Sequence, residues 1–281
     1  MKEIAINKIV ETVRELCINA ACDLPQDVEE LIKNNQAQEE SEFGKYIFAQ
    51  IIDNVQLARR ETQAMCQDTG ITVVYVEMGQ DVHITGGSLV DAINEGVRQG
   101  YKDGYLRKSV VNDPVFLRKN TGDNTPAVIH MEIVPGDKLK IMIVPKGAGS
   151  ENMGALKMLK PSDGIEGVKE FILKTVREAG GNPCPPVVVG VGIGGTMEKA
   201  TILAKKALTR KAGEYNPDSN YRALEEELLE KINRLGIGPQ GLGGRVTALA
   251  VHIEAFPTHI ATLPVAVNLN CHASRHSEAI L

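Results

Sequence analysis

Apolar residues recur along the first sixty positions with the spacing of an α-helix. In the first of three such stretches they are separated by three or four positions, which places them on one helical face. These residues are Ile9, Val13, Leu16 and Ala20. Two further stretches repeat the spacing at 28–32 and 47–55. The pattern therefore predicts a helical N-terminal segment over about 1–60.

Apolar runs of strand length follow after residue 70. The runs ITVVYVEMG, VVVGVG, RVTALAVHIEAF and TLPVAVNLN are typical of strands. Two more runs, VIHMEIV and KLKIMIV, are separated by a Pro-Gly-Asp turn, which predicts a β-hairpin over 127–144. Helical patterns alternate with these strands, over 88–104, 167–179, 196–211 and 218–235. Ser88 is expected to cap the first of these helices, because its hydroxyl can accept an orphan backbone N–H.

This alternation predicts the α/β fold class, with mixed α and β structure, mixed sheets flanked by helices, and candidate site loops at strand ends. For 281 residues and 30.4 kDa, about 73% of the unfolded surface should be buried on folding, so the core needs no disulfides. We expect a single domain over 1–281, since no repeat or long linker is visible. A division into two subdomains near 155–165 is the alternative.

Charge and composition exclude several function classes. The chain has 31 Lys and Arg against 36 Asp and Glu and lacks Trp, which argues against a nucleic-acid binder. No apolar run approaches the ~20 residues of a membrane span, which predicts no membrane partner. Glu3, Glu11 and Glu15 interrupt any signal-peptide core. We therefore expect a cytoplasmic protein with reduced cysteines.

The five cysteines fall into two groups. Cys17 and Cys22 lie in the N-terminal helical segment and are interpreted as ordinary buried side chains. Cys66, Cys184 and Cys271 each lie in a loop beside a strand, flanked by Gly, Pro or Asn. No C-x-x-C motif supports a zinc ribbon or a ferredoxin-type site. Three converging thiolates would hold a cubane cluster with one iron left open, but three unrelated loop thiols fit the spacing as well.

A glycine-rich stretch offers a different interpretation. Gly190, Gly192 and Gly195 satisfy G-x-G-x-x-G after a strand, the pattern of an NAD(P)-binding oxidoreductase. The expected second strand, ending in an acidic residue for the ribose, does not follow the next helix. A sharp turn whose backbone amides approach a bound group fits the stretch better.

Polar residues accompany the loop cysteines. Gln67 and Asp68 directly follow Cys66, and the small residues around Gly149 in KGAGSEN suit an anionic ligand. Arg107 ends a helical pattern, where a solvated cation is the ordinary interpretation. His259, twelve residues before Cys271, is by itself as compatible with a structural hydrogen bond as with a site role. None of these residues decides the chemistry alone.

Taken together, these segments resemble one family. The motifs MCQDTG, GYLRKS, NTGDNTPAVIH, KGAGSEN, GNPCPP, GVGIGGTMEKA and THIATLPVAVNLNCH are similar to the class I iron–sulfur fumarate hydratases. That family includes the L(+)-tartrate dehydratases. The resemblance extends from about residue 10 to the C-terminus. Since the sequence ends ten residues after Cys271, the chain resembles the α subunit of a two-subunit form.

The resemblance implies a cofactor and a site. Cys66, Cys184 and Cys271 match the three ligands of a [4Fe–4S] cluster. The positions that match the lining of the dicarboxylate site are Gln67, Asp68, Arg107, Gly149 and His259. In this interpretation Arg107 binds a carboxylate, Asp68 transfers a proton at the departing oxygen, and His259 contacts the substrate or orients Asp68.

The implied activity is the reversible hydration of fumarate to (S)-malate. A β subunit would supply the base for the Cβ proton, which makes a hetero-oligomer the expected state. L(+)-Tartrate dehydration is the nearest alternative. Two more distant alternatives are the NAD(P)-dependent oxidoreductase and a binding module with zinc held by the three loop cysteines and either His259 or His272.

Overall fold

The computed structural model describes residues 2–281, which form eight α-helices, ten β-strands and two short 3-10 helices. The helices are α1 (Ile6–Cys22), α2 (Gln26–Gln36), α3 (Glu42–Glu61), α4 (Leu89–Asp103), α5 (Ala148–Glu151), α6 (Gly164–Ala179), α7 (Met197–Ala207) and α8 (Ser219–Asn233). The strands are β1 (Lys2–Ala5), β2 (Ile71–Gly79), β3 (Val82–Thr85), β4 (Val128–Val134), β5 (Leu139–Lys146), β6 (Ala155–Leu159), β7 (Val187–Gly194), β8 (Ala248–Phe256), β9 (Leu263–Asn270) and β10 (Ser277–Ile280). The 3-10 helices are Pro161–Asp163 and Pro239–Gly241.

This content confirms the predicted mixed α/β fold and the helical N-terminal segment, in which α1, α2 and α3 account for most of the first sixty residues. The predicted cap of α4 is also present, since the Ser88 hydroxyl accepts the backbone N–H of Asp91 at 3.3 Å. Among the helices within residues 2–281, none combines the length and the hydrophobicity that a bilayer crossing requires.

The chain is organised as two compact units. The first unit contains the residues up to Pro25, Asn54–Ala148 and Arg275–Leu281. The second unit contains Gln26–Asp53 and Gly149–Ser274. The single domain over 1–281 stays a prediction. A domain is a part of a chain that folds on its own, and a compact unit need not do so.

The first unit is built on a four-stranded sheet in the order β10-β5-β2-β4. Strand β2 pairs parallel with β4 and antiparallel with β5. Helices α1 and α4 pack together, and α1 also covers β5 and β10. The predicted apolar face of α1 is buried in this core, with Ile9, Val13 and Ala20 fully inaccessible. A two-stranded parallel ladder of β1 and β3 completes the unit.

The predicted hairpin of β4 and β5 is wrong, because β2 lies between the two strands. The short turn after β4 instead passes around the end of β2. There the N–H of Gly79 donates to the carbonyl of Lys138 at 2.8 Å, and that of Asp81 donates to Gly136 at 2.9 Å. A Cβ on Gly79 would lie 2.3 Å from the Gly136 carbonyl oxygen, so only glycine permits this approach. The arrangement gives the buried strand β2 a backbone partner on each side.

The second unit contains a four-stranded sheet in the order β6-β9-β7-β8. The central strand β7 is buried along its whole length, pairing parallel with β8 and antiparallel with β9. Helix α7 lies against β7 and β9, α8 packs on β8, and α6 contacts α8. The loops before β7 and after β9 lie at the same end of the sheet, because the two strands are antiparallel.

Candidate functional site

The loop that carries Cys66 is fixed in the first unit by long-range hydrogen bonds. We call Met65–Gly70 the Cys66 loop; it follows α3 and leads into β2. Its backbone carbonyls accept hydrogen bonds from three side chains: Asn54 Nδ2 to Met65 (2.8 Å), Tyr101 Oη to Thr69 (2.7 Å) and Asn124 Nδ2 to Gly70 (3.2 Å). The Cys66 side chain is half-buried. These donors determine the path of the backbone on both sides of the thiol.

The carboxylate of Asp68 is held by two backbone N–H groups. Its Oδ1 atom accepts from Gly70 at 3.0 Å, and its Oδ2 atom accepts from Ala148 at 2.8 Å. The second bond joins the Cys66 loop to the segment that follows β5. Gln67, between Asp68 and the cysteine, is exposed. The structure thus places two of the predicted site residues beside Cys66, with the carboxylate in one orientation.

Arg107 also lies beside the Cys66 loop. Its backbone carbonyl accepts a hydrogen bond from the Thr69 hydroxyl at 2.8 Å, and its side chain is exposed. An exposed guanidinium presents a planar set of N–H donors that can bind a carboxylate at two points. The first unit therefore brings Cys66, Gln67, Asp68 and Arg107 together.

The second unit brings Cys184 and Cys271 to one end of its sheet. Cys184 lies in the loop before β7, and Cys271 directly follows β9. The backbone N–H of His272 donates to the Cys184 carbonyl at 3.4 Å, and the imidazole Nδ1 lies 3.1 Å from the same oxygen. Cys184 has a φ of +54° and is exposed, whereas Cys271 is half-buried. Hydrogen bonding through residue 272 thus ties the two cysteine loops to each other.

Gln240 also holds the loop that carries Cys184, residues 180–186, which we call the Cys184 loop. Its backbone N–H and its side-chain Nε2 both donate to the carbonyl of Pro185, at 2.7 and 3.0 Å. The same Nε2 atom lies 3.1 Å from Nδ1 of His272. Gly149 approaches this loop as well, since a Cβ on it would meet the Asn182 carbonyl oxygen at 3.4 Å.

The structure does not bring His259 to the two cysteines of its own unit. Its loop connects β8 to the start of β9, whereas Cys271 follows the end of β9. Eight extended residues lie in that strand, a length of about 25 Å at the usual rise. The imidazole is exposed, and its Nδ1 atom accepts the backbone N–H of Ala261 at 3.1 Å. The substrate contact of His259 stays a prediction from the resemblance.

The glycine motif of β7 is explained by helix packing. A Cβ on Gly190 would lie 2.1 Å from the carbonyl oxygen of Ala204, and one on Gly192 would lie 2.0 Å from that of Ala200. Both oxygens belong to the backbone of α7. The glycines thus allow the helix to lie directly on the strand, and this packing accounts for them without a bound nucleotide.

The remaining cysteines differ from the loop cysteines in their chemistry. Cys17 and Cys22 are buried, and burial raises the pKa of the Cys17 thiol to about 12. Burial raises the pKa of Cys22 too, although the charge of Arg275 opposes that rise. Neither thiol is a good source of the thiolate that a metal requires. None of the five cysteines, all within residues 2–281, forms a disulfide bond.

The ligand role of the three loop cysteines comes from the resemblance of their motifs to the family. Among residues 2–281, no three or more His, Cys, Asp or Glu side chains are grouped as ligands of a metal ion. Cys66 belongs to the first unit, and Cys184 and Cys271 belong to the second. Their role as cluster ligands stays a prediction.

Comparison with known proteins decides the family. The sequence model of the fumarate hydratase (Fumerase) family matches residues 10–280. The chain belongs to this family. A putative L(+)-tartrate dehydratase subunit alpha of Methanocaldococcus jannaschii is 45% identical over 274 residues, covering 96% of each chain. The L(+)-tartrate dehydratase subunit alpha of Escherichia coli strain UTI89 is 37% identical over 276 residues, covering 98% of this chain and 91% of the relative.

Membership in the fumarate hydratase family confirms the resemblance expected from the sequence motifs and assigns the chain to a hydro-lyase family. Two positions of structural importance were not found from the sequence. Gln240 lies in a glycine-rich stretch that carries no recognised motif, and Arg275 lies four residues after Cys271. The sequence pointed to Arg275 only through its position four residues after the candidate ligand Cys271.

Proposed function

We propose that this chain is the α subunit of a [4Fe–4S] hydro-lyase that interconverts (S)-malate and fumarate. Its partner would be a β subunit, as the names of the relatives imply. The observation that carries the proposal is the Cys66 loop, which holds a half-buried thiol and an oriented carboxylate and is hydrogen-bonded to the backbone of Arg107, all within the residues that the family model matches. A thiol, an acid and a carboxylate binder are the groups that such a reaction needs from this subunit.

The chemistry of the donor set fits such a cluster. The thiols of Cys66, Cys184 and Cys271 are half-buried or exposed, in contrast to the buried Cys17. Each lies in a loop at a strand end, and hydrogen bonds hold the loops in place. Thiolates are the ordinary ligands of [4Fe–4S] clusters, and three of them are one short of the four that saturate the cluster. The set therefore suits a cluster with one iron open to substrate.

In the proposed dehydration, malate loses hydroxide from one carbon and a proton from the next, and the C–H electron pair becomes the second bond of fumarate. When bound, the cluster supplies a Lewis acid for the hydroxyl oxygen. Arg107 binds one carboxylate through its N–H donors and thereby orients the diacid. Gln67 and the backbone at Gly149 supply further hydrogen bonds to it.

Asp68 is the proposed proton carrier at the departing oxygen. A carboxylate has about four lone-pair sites, and the N–H groups of Gly70 and Ala148 occupy two of them. Asp68 therefore retains capacity to exchange a proton with the hydroxyl as it leaves or returns as water. The base that removes the proton from carbon is assigned to the β subunit. No step is assigned to His259.

A second candidate is the dehydration of L(+)-tartrate to oxaloacetate. It is favoured by the names of the relatives from Methanocaldococcus jannaschii and Escherichia coli. Tartrate differs from malate by one hydroxyl group, so the same cluster, arginine and carboxylate would serve both. Steady-state rates with malate, fumarate and L(+)-tartrate, measured on the anaerobically reconstituted αβ complex, distinguish the two substrates.

The cofactor is tested on the same preparation. We expect iron and sulfide in the ratio of a [4Fe–4S] cluster after anaerobic reconstitution. Serine in place of Cys66, Cys184 or Cys271 should abolish the cluster and lower the hydration rate at least tenfold. Cys17→Ala is the matched control and should retain the iron. A wild-type complex that hydrates its substrate fully without iron would contradict the proposal.

A further inference from the structure

A buried arginine lies against the Cys66 loop with most of its donors unused. Arg275 is 4% exposed. One terminal nitrogen, Nη2, donates to the backbone carbonyl of Asp68. Its Nε and Nη1 atoms are inaccessible and have no hydrogen-bond partner among residues 2–281. A buried cation with two unsatisfied donor nitrogens is costly, and native proteins keep one where an anion balances it.

The side chains around Arg275 do not supply that anion. Cys22 and Tyr101 both interact with its charge, but burial raises the pKa of each, so both are neutral. Asp68 contacts the guanidinium through its backbone, while its carboxylate binds the N–H groups of Gly70 and Ala148. Arg275 makes no ion pair within residues 2–281. Within residues 2–281, neither an ion pair nor a hydrogen bond to a carboxylate therefore neutralises Arg275, which leaves its charge available to an anion bound beside the Cys66 loop.

We propose that Arg275 is a positioning residue for the cluster: it holds the Cys66 loop by the Asp68 carbonyl and balances the negative charge of the thiolate-bound cluster. This inference rests on the proposed function. A [4Fe–4S] core with thiolate ligands carries net negative charge, and hydrogen bonds and nearby charge set its reduction potential. The guanidinium contacts the backbone two residues from Cys66, which places its charge beside the cluster's attachment point.

The exposure of the two arginines distinguishes this role from substrate binding. The side chain of Arg107 is exposed and can meet a diacid that diffuses in. The side chain of Arg275 is buried, so a diacid that is exchanged at each turnover does not reach it. This difference in exposure favours the cofactor over the substrate as the group whose charge Arg275 balances.

The test compares Arg275→Gln, Arg275→Lys and the control Arg60→Gln, which removes the same charge from an exposed arginine of the same unit. The cluster-free chains are first melted with circular dichroism detection. Each is then reconstituted anaerobically, and three quantities are measured: iron and sulfide per chain, iron retained against a chelator, and the cluster's reduction potential.

We expect all three variants to fold without the cluster. Arg275→Gln should retain at most a tenth of the iron that the wild type retains after the same chelator exposure. Its reduction potential should fall. Each tenfold decrease in the equilibrium constant for one-electron reduction of the cluster lowers the potential by about 59 mV. Arg275→Lys keeps the charge but lacks the planar fork, so its potential should lie closer to wild type while its iron retention falls. Arg60→Gln should match the wild type.

The outcomes separate this inference from the proposed function. If the wild type binds no cluster, the proposed function fails, and the inference fails with it. If the wild type binds the cluster and Arg275→Gln matches it in iron retention and potential, the inference alone is overturned. If neither Arg275 variant folds without the cluster, Arg275 is a structural residue of the polypeptide, which also overturns the inference.

Discussion

The buried histidine of β8 should make the second unit sensitive to mild acid. His252 is 3% exposed, and its Nδ1 lies 3.1 Å from the carbonyl oxygen of Ala207. Burial lowers the pKa of His252 to about 4, and the charge of Arg210 lowers it further, against the opposing effects of the Ala207 carbonyl and Asp27. The folded chain therefore keeps this imidazole neutral at a pH where an unfolded chain protonates it.

The sign and size of the effect follow from that difference. Above pH 6.5 both states are neutral at His252, and the full stability is present. As the pH falls from 6.5 towards about 4, the unfolded state binds a proton that the folded state does not, so stability is lost. At about 1.4 kcal/mol per pH unit, the loss should be roughly 2 kcal/mol between about pH 7.5 and pH 5. It should approach about 3 kcal/mol below pH 4.

The assay is urea unfolding of the cluster-free chain at both pH values. His252→Asn keeps an N–H donor for the Ala207 carbonyl but cannot be protonated, so its stability should depend less on pH by about 2 kcal/mol. The exposed His83, replaced by Asn, is the matched control and should leave the pH dependence of the wild type unchanged. Equal pH dependence in the His252→Asn variant and the wild type would refute the reasoning.

Three other predictions concern the β7 packing, the Cys184 loop and the cluster. Gly192→Ala should lower the free energy of unfolding, measured with urea, by about 1–3 kcal/mol, because the new Cβ meets the Ala200 carbonyl oxygen and α7 must move. Unchanged stability would contradict this packing. Gln240→Ala should lower the free energy of unfolding by about 0.5–1.5 kcal/mol, since the Pro185 carbonyl loses its side-chain donor and keeps the backbone N–H of residue 240. Limited proteolysis should then cleave the Cys184 loop faster, and an unchanged cleavage rate would contradict this role of Gln240. Activity of the reconstituted complex should decay in air and return with ferrous iron and reductant; indifference to oxygen would argue against an open iron.

Local patterns predicted most of the helices and strands. The face of α1 that carries Ile9 and Val13 is buried as its spacing indicates, and Ser88 caps α4. Both features depend on residues within one or two helical turns of one another, so they can be predicted from the local sequence. The hairpin prediction failed for the opposite reason. A short turn favours pairing of its flanking strands, but β2, more than fifty residues earlier, pairs with both of them.

The sequence predicted which residues belong to the candidate site, but it did not predict how they are arranged in space. The motifs named Cys66, Cys184 and Cys271, and the family match agrees with those motifs. They did not indicate that Gln240 would hold the Cys184 loop, nor that the His259 loop would lie at the far end of β9. Such relations arise between segments that are distant in sequence, and no spacing rule describes them.

The sequence by itself thus determined the fold class, the positions of the longer helices and strands to within a few residues, and the loops that carry the thiols, because periodicity, capping and turn chemistry act over short distances. It did not predict the short strands β1, β3, β6 and β10. Tertiary structure alone decided which strands pair, why Gly190 and Gly192 must be glycines, and that Arg275 is buried with two nitrogens lacking a hydrogen-bond partner. The physical reason is that strand pairing, close packing and the burial of a charge depend on groups that the folded chain brings together from far apart.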